Sequence, residues 1–276
     1  MPKLGLGFSL AGAVGARRKL LLDKVPDAEL LYSPSLRLSQ KITKSIELRR
    51  TSDEEEEEFS PEQWQASDVT AFAGSGDARA TQLFDFSGNG RTATQTTAGA
   101  QPFAVTGGVL EEGLRFAGEQ FLEVNATSSI LKPAEVTYAF WAKAASTGTI
   151  RVIFTNRDTT SDGVTIWQRA GGPNMSFDYA GSGDNQRWDT NYALPVDEWT
   201  FIVFTRSGLK RELYVNGLLQ DTITDAGSLD AGLTTGSIGG IRGSSSFLGK
   251  IPFFGIYDRV LSATEIATVR DLTDPR

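Results

Sequence analysis

No cysteine and no histidine occur among the 276 residues of this chain. Without cysteine there is no disulfide framework, thiol nucleophile, iron–sulfur cluster or thiolate zinc site. Without histidine there is no Ser-His-Asp triad, no imidazole base and no usual transition-metal site. Chemistry would fall to Asp, Glu, Lys, Tyr or Ser, or to a hard cation such as calcium. Long hydrophobic runs are missing too. The apolar stretch Leu4–Gly15 is too short to span a bilayer. Its positive charges, Arg17, Arg18 and Lys19, follow it, whereas a secretory leader carries them in front. The expectation is a soluble, cytoplasm-made protein with no membrane partner.

What is present supports a folded body. Apolar residues make up 39% and charged residues 22%, enough apolar surface for a sizeable core. The net charge of -7 is unevenly placed. Residues 1–50 hold ten Lys/Arg and four Asp/Glu, a net of +6. Asp53–Glu58 is an unbroken run of six acids, and residues 59–276 carry the remaining -7. Such asymmetry points to a terminal segment that meets a partner. The basic segment is interleaved with apolar residues, Leu20, Leu21, Leu22, Leu30 and Leu31, rather than with aromatics. This suits protein docking and argues against a nucleic-acid partner.

Local signals divide the chain. Ser60-Pro61-Glu62-Gln63 predicts a helix start with a capping box, followed by Trp64, Val69 and Phe72 on one side and ended near Gly74 and Gly76. Beyond residue 80, short β-like runs recur between Gly-, Asn- and Asp-rich turns. Val136, Tyr138 and Phe140 alternate, as do Trp199, Phe201 and Val203, in the manner of half-buried strands. Asn216-Gly217 between β-formers predicts a type I′ hairpin. Ser262 and Glu265 predict a second capping box. Many regularly spaced short strands indicate a sandwich or barrel.

The series GLRFAGEQFLEV (113–124), EVTYAFWAKA (135–144), DEWTFIVFTRSGLKRELYVNGLLQ (197–220) and FLGKIPFFGIYDRVLSATEI (247–266) resembles the laminin-G-like, concanavalin A-like jelly roll. The resemblance implies a mostly β, antiparallel jelly-roll β-sandwich over 81–272. Residues 28–38, 45–59 and 68–102, above all Asp85-Phe-Ser87-Gly88-Asn89-Gly90-Arg91, are similar to a segment of bacteriophage virion and tail-associated proteins. They also resemble the start of the α-L-arabinofuranosidase B catalytic domain. That enzyme domain is cysteine-bearing, and the later part of this chain follows the laminin-G pattern instead, so none of its catalytic carboxylates is carried over.

A glycosidase needs two carboxylates flanking the scissile bond. No Glu-x-Asp-x-Glu string is present. Glu119 and Glu123, if on one strand, would lie roughly 13 Å apart, and Asp178 is a lone acid. No catalytic residue is assigned. Sugar binding asks for less: an aromatic ring and a few polar groups. Residues 181–192, read as a loop, concentrate these types, so Asp184, Asn185, Arg187, Trp188, Asp189 and Tyr192 form the expected ligand site. Trp141, Trp167 and Trp199 are expected in the core. The fold family often carries calcium, for which Asp158, Asp162, Asp184 and Asp189 are the available loop acids. None has EF-hand spacing, and no metal or cofactor is assigned.

The resulting expectation is a phage virion structural protein, of decoration or tail-fibre type and not an enzyme. Residues 1–30 form an extended virion-docking arm centred on Arg17, Arg18, Lys19, Leu20, Leu21 and Leu22, and 31–80 a small mixed adaptor. The jelly roll of 81–272 displays a surface for adhesion to cell-surface glycan. Other virion proteins are the expected partners, and the many copies in a particle imply a homo-oligomer. The alternatives are a glycan hydrolase related to α-L-arabinofuranosidase and a ligand-free capsid cement protein.

Overall fold

The computed structural model describes residues 20–125, 134–146, 150–157, 163–169, 174–181, 184–224, 235–241 and 245–276. Eighteen strands lie among the described residues. The first half of the chain contains β1 (Ala28–Tyr32), β2 (Ile46–Arg50), β3 (Glu56–Phe59), β4 (Ala78–Leu83), β5 (Ala93–Thr94), β6 (Phe103–Thr106), β7 (Val109–Ala117), β8 (Leu122–Asn125) and β9 (Glu135–Ala144). The second half contains β10 (Arg151–Thr155), β11 (Gly163–Gln168), β12 (Asn174–Gly181), β13 (Asp184–Ala193), β14 (Thr200–Ser207), β15 (Lys210–Val215), β16 (Leu218–Thr224), β17 (Thr235–Ile238) and β18 (Leu248–Tyr257). Three helices, α1 (Pro61–Gln65), α2 (Asp68–Ala73) and α3 (Ala263–Thr273), punctuate them.

Every pairing between these strands is antiparallel. They make two layers, as the jelly-roll expectation requires. The front sheet runs β3–β2–β4–β5–β8–β17–β10–β11–β12–β13. The back sheet runs β16–β15–β14–β9–β18, and β18 pairs along its other edge with β7 near Gly249 and with β1 near Gly255. β6 joins β7 and also β4, so the two sheets are stitched at that corner.

The core between the sheets is aromatic. Phe154 and Phe140 both stack near Phe254, with ring centroids 5.2 and 6.2 Å away, and Phe177 lies 4.9 Å from Phe204. Each such ring contributes about 1.5–3 kcal/mol through burial, before any ring–ring term. A second apolar cluster covers the outside of the back sheet. There Trp141, Phe201, Phe253 and Tyr257 meet Ile266 and Val269 of α3 and Leu21, Val25 and Leu38 from the start of the chain. Trp141 donates its indole N–H to Thr273 Oγ1 at 3.0 Å, which fixes α3 in place.

Several local expectations hold. Both capping boxes form: Gln63 N donates to Ser60 Oγ at 3.2 Å, and Glu265 N donates to Ser262 Oγ at 3.3 Å. Asn216 (φ 50°) and Gly217 (φ 84°) adopt the left-handed pair of a type I′ turn, and Arg270 of α3 donates to the Asn216 carbonyl. The helix after Ser60 is two short pieces, because Ser67 turns left-handed (φ 72°) between them.

The proposed arm and adaptor do not stand apart from the jelly roll over the described residues. β1 pairs with the final strand, β2 and β3 extend the front sheet, and Leu21 is sealed under α3. Leu21 therefore serves this chain's own core, with Leu22 packed at its margin and Leu20 half-buried. Arg17, Arg18 and Lys19 lie outside the described residues.

Candidate functional site

The side of the front sheet that faces away from the core carries a polar row across its width, in which Ser237, Thr155, Thr165 and Asp178 are buried. Following the cross-strand register, Glu58, Glu47, Gln82, Thr94, Glu123, Ser237, Thr155, Thr165, Asp178 and Arg187 face one another in a single row. Residues that flank them in sequence, such as Leu48, Leu83, Val124, Ile238, Phe154, Ile166 and Phe177, point into the core. Alternation thus puts hydroxyls, amides and charges outside and hydrocarbon inside. Ten strands at about 4.8 Å spacing give the row a length of roughly 43 Å.

The two ends of the row differ in chemistry. At the β2–β5 end, a cleft of about 480 Å³ is lined by Glu47, Arg49, Glu56, Gln82, Thr94 and Gln101. Burial, with Glu56 and Glu58 nearby, raises the Glu47 carboxyl above its ordinary range. At the β11–β13 end, Trp167 and Arg169 of β11 or just beyond it, Ser176 and Asp178 of β12, and Arg187 and Asp189 of β13 share the outer face. Asp178 is only 6% exposed. Burial pushes its carboxyl up to about 6, against the opposing pull of Arg187 and Arg157. Its Oδ1 has no hydrogen-bond partner, and neither do the Trp167 indole N–H and Arg169 Nη1. The Trp167 ring faces Asp178 without completing a bond of normal geometry.

Asp189 is the hub of this patch. It accepts from Ser176 Oγ at 2.5 Å and pairs with Arg169 at 3.6 Å and Arg187 at 3.4 Å. The Arg169 guanidinium also lies 5.4 Å from the Trp167 ring centroid.

The expected ligand residues are split by this geometry. Residues 184–193 form a strand, not a loop, so successive side chains leave on opposite faces. Arg187 and Asp189 reach the outer face together. Trp188 points inward, 5% exposed, edge-on to Phe204 and beside Arg211. Tyr192 is half-buried against the core margin. The side chains of Asp184 and Asn185 lie outside the described residues. Trp167, expected in the core, is instead a partly buried ring on the outer face, while Trp141 is buried and Trp199 packs at the edge of the second cluster. The two tryptophans Trp188 and Trp167 exchange the places expected of them, and period-2 alternation through Gly163–Gln168 is the signal that locates the exposed one.

Glu119 sits in the turn between β7 and β8 rather than on a strand with Glu123. Glu123 stands four strands from Asp178, about 19 Å away at normal strand spacing. Among the described residues no three acids converge on a point that suits a metal. Asp189 is already engaged by Ser176 and two arginines and does not fit a calcium ligand; Asp158 and Asp162 lie outside the described residues. No described helix is long and apolar enough to cross a membrane.

The turn Asp85–Arg91, the most distinctive string in the sequence, is a structural staple. Asp85 accepts from Leu31 N, Ser87 N, Ser87 Oγ and Arg91 N at 2.7–3.2 Å, and Arg91 pairs with Glu29 at 2.7 Å. It ties the edge strand β1 to the body.

The chain belongs to the concanavalin A-like lectin/glucanases superfamily, matching a laminin-G-type family over residues 116–267. No curated protein matches it by sequence. Among solved structures it is similar to an arabinofuranosidase complexed with arabinofuranosyl-α-1,2-xylobiose, with a TM-score of 0.68, 12% identity, and 92% of this chain and 64% of that chain covered. A GH54 α-L-arabinofuranosidase soaked with a cyclic sulfate inhibitor gives 0.65, 12%, 89% and 62%. Domain 4 of AbnA, an extracellular arabinanase from Geobacillus stearothermophilus, in complex with arabinotriose, gives 0.50, 15%, 69% and 92%. The chain spans less than two thirds of the arabinofuranosidase chains it matches. The likeness in fold nonetheless extends well past residue 102, where the sequence resemblance to that enzyme family stops.

Proposed function

We propose that this chain is a non-catalytic glycan-binding structural protein, carried on a phage particle, whose front sheet is the adhesive surface. The observation that carries the binding role is the unbroken polar row, which reaches Asp178, with an unpartnered oxygen, beside the partly buried Trp167. A sugar offers what such a patch lacks: an apolar ring face for the indole and hydroxyls for Asp178, Arg187 and Asp189. The solved sugar complexes of similar fold support the reading as precedents of architecture. The particle setting rests on the likeness of residues 28–102 to virion proteins. In that setting the basic residues Arg17, Arg18 and Lys19 attach the chain to other virion proteins, and many copies self-associate.

A hydrolytic role would need a second free carboxylate across the scissile bond from Asp178. Glu123 is too distant, and the nearer Asp189 is held by Ser176 and two arginines. The test is binding of the purified full chain to an array of plant, bacterial and animal glycans, repeated with Trp167→Ala. Binding lost in that variant supports the proposal. Binding to no glycan would leave the ligand-free cement reading. Sugar release from a bound polysaccharide, abolished by Asp178→Asn, would replace adhesion with hydrolysis.

A further inference from the structure

The strand at the far edge of the front sheet, β3, is open along one side. Among the described residues its one strand partner is β2. Arg50 N donates to the Glu55 carbonyl at 2.8 Å on that inner side, so alternation turns the N–H groups of Glu56 and Glu58 away from the sheet. The outward carbonyl of Glu58 already accepts from Lys44 Nζ at 2.9 Å. An edge of this kind is a template for one more strand.

Its side chains decide which strand. Glu56, Glu57 and Glu58 are exposed, and no described cation pairs with them, whereas Arg50 pairs with Asp53 and Glu55 and Arg49 reaches Glu54 at 3.9 Å. Residues 44–58 hold seven acids and three cations, a net of -4. Burial, with Glu56 and Glu58 nearby, raises the neighbouring Glu47 carboxyl. A second β3 laid along this edge would set like charges opposite one another and is repelled. Residues 1–19 are the complement: four cations, Lys3, Arg17, Arg18 and Lys19, and no acid. Added as an extended strand in either direction, Arg17 and Lys19 take the face of Glu56 and Glu58, and Arg18 takes the face of Glu57. Each of the three acids then meets one cation.

The segment of the same copy is badly placed for this contact. Lys19 is joined to Leu20, and Leu21 is sealed under α3 on the outside of the back sheet. β3 belongs to the other layer, and stacked sheets alone lie about 10 Å apart. Three residues reach at most about 11 Å, a span used up before they could lie along β3. We infer that β3 receives residues 17–19 of a second copy as an added strand, in a head-to-tail contact that repeats from copy to copy. This names the partner in the proposed self-association and rests on that reading.

The experiment follows self-association of the full chain by sedimentation velocity over a concentration series. One variant carries Glu56→Lys, Glu57→Lys and Glu58→Lys together, and another Arg17→Glu, Arg18→Glu and Lys19→Glu. Each alone should weaken association by about tenfold or more, and raised salt should weaken it in the wild type. Both sets combined in one chain should restore association to within a few-fold of wild type, because the charges match again. The second variant changes no described residue, so it carries the test even where the first lowers the urea midpoint. Association that survives the second variant, or that the combined chain fails to recover, overturns the inference and leaves self-association standing. A wild type that stays monomeric while the second variant speeds amide exchange at Glu56 and Glu58 overturns it in favour of docking within one copy. A wild type that stays monomeric with no such change removes both readings together.

Discussion

The turn at Asp85 and the outer patch at Asp178 each bury a carboxylate, 3% and 6% exposed, and they treat it in opposite ways. Asp85 accepts four hydrogen bonds, three from backbone N–H groups and one from a hydroxyl. Asp178 keeps one oxygen without a partner and is pushed up to about 6 by burial. A buried carboxylate with every acceptor site used is cement. One left short costs stability that the fold tolerates, and such a cost is found where a ligand restores the balance. The distinctive motif in the sequence therefore marks architecture, while the acid of the proposed site sits in a strand with no distinctive string.

That contrast can be broken by substitution. The largest expected effect lies on the inner side of the patch, where Trp188 is as structural as Asp85. Trp188→Ala should cost about 3–5 kcal/mol by opening a cavity against Phe204, read as a lower denaturant midpoint in equilibrium unfolding. Next, Asp85→Ala strands four donors, one of them holding β1 to the turn. A loss of about 3 kcal/mol is expected, with earlier amide exchange at Leu31 than in the rest of the back sheet. If Asp85→Ala unfolded with wild-type stability, the staple would not be one.

Asp178→Asn should act in the other direction, and its sign depends on pH. Well below its ordinary value of 3.8, at about pH 2.5, the aspartate is protonated in both states and contributes no difference. Between its ordinary value of 3.8 and the folded value of about 6, the unfolded chain ionises while the folded chain resists, so the folded state loses stability as pH rises. Above that window the full penalty stands, roughly 2–3 kcal/mol. Asparagine carries no such penalty. The variant should be more stable than wild type by that order at pH 8 and approach equality near about pH 2.5, in paired urea titrations. A pH-independent difference would mean that Asp178 is not burial-strained.

Much of the architecture was written locally. The capping boxes at Ser60 and Ser262 and the Asn216-Gly217 turn need only neighbours within a few residues, so they can be read from the chain alone. The position of β1 cannot. Its partners, Phe254–Tyr257, lie more than two hundred residues away, and nothing within AELLY marks that pairing. A division at residue 80 follows from composition and fails for this reason: the first strand completes a sheet whose other members come last. The proposed patch was half legible. Residue type picks out Arg187 and Asp189, which share one face, but the Gly-, Asn- and Asp-rich surroundings suggest a loop, and a loop hides which side each residue takes. Once 184–193 is a strand paired with 174–181, Trp188 must follow Phe177 inward, and Trp167 must follow Ser176 outward.

The smallest stability effect should come from Trp167, and it is the sharpest separator of the two faces. Its ring lies outside both apolar clusters, flanked by Arg169 rather than by other rings. Replacing it with alanine removes a ring outside both clusters and an indole N–H that faces Asp178 without a hydrogen bond of normal geometry. Stability should fall by less than about 1 kcal/mol, as for a surface position. Affinity for glycan should nevertheless fall by about tenfold or more, since the ring is the one apolar platform on the patch among the described residues and a stacked aromatic contributes about 1 kcal/mol beyond its burial. Trp167→Phe should recover most of the affinity by restoring the platform, while leaving the lost N–H unrestored. A Trp167→Ala variant that unfolds as readily as Trp188→Ala would place both rings in the core. The outer face would then have no platform on which a sugar could rest.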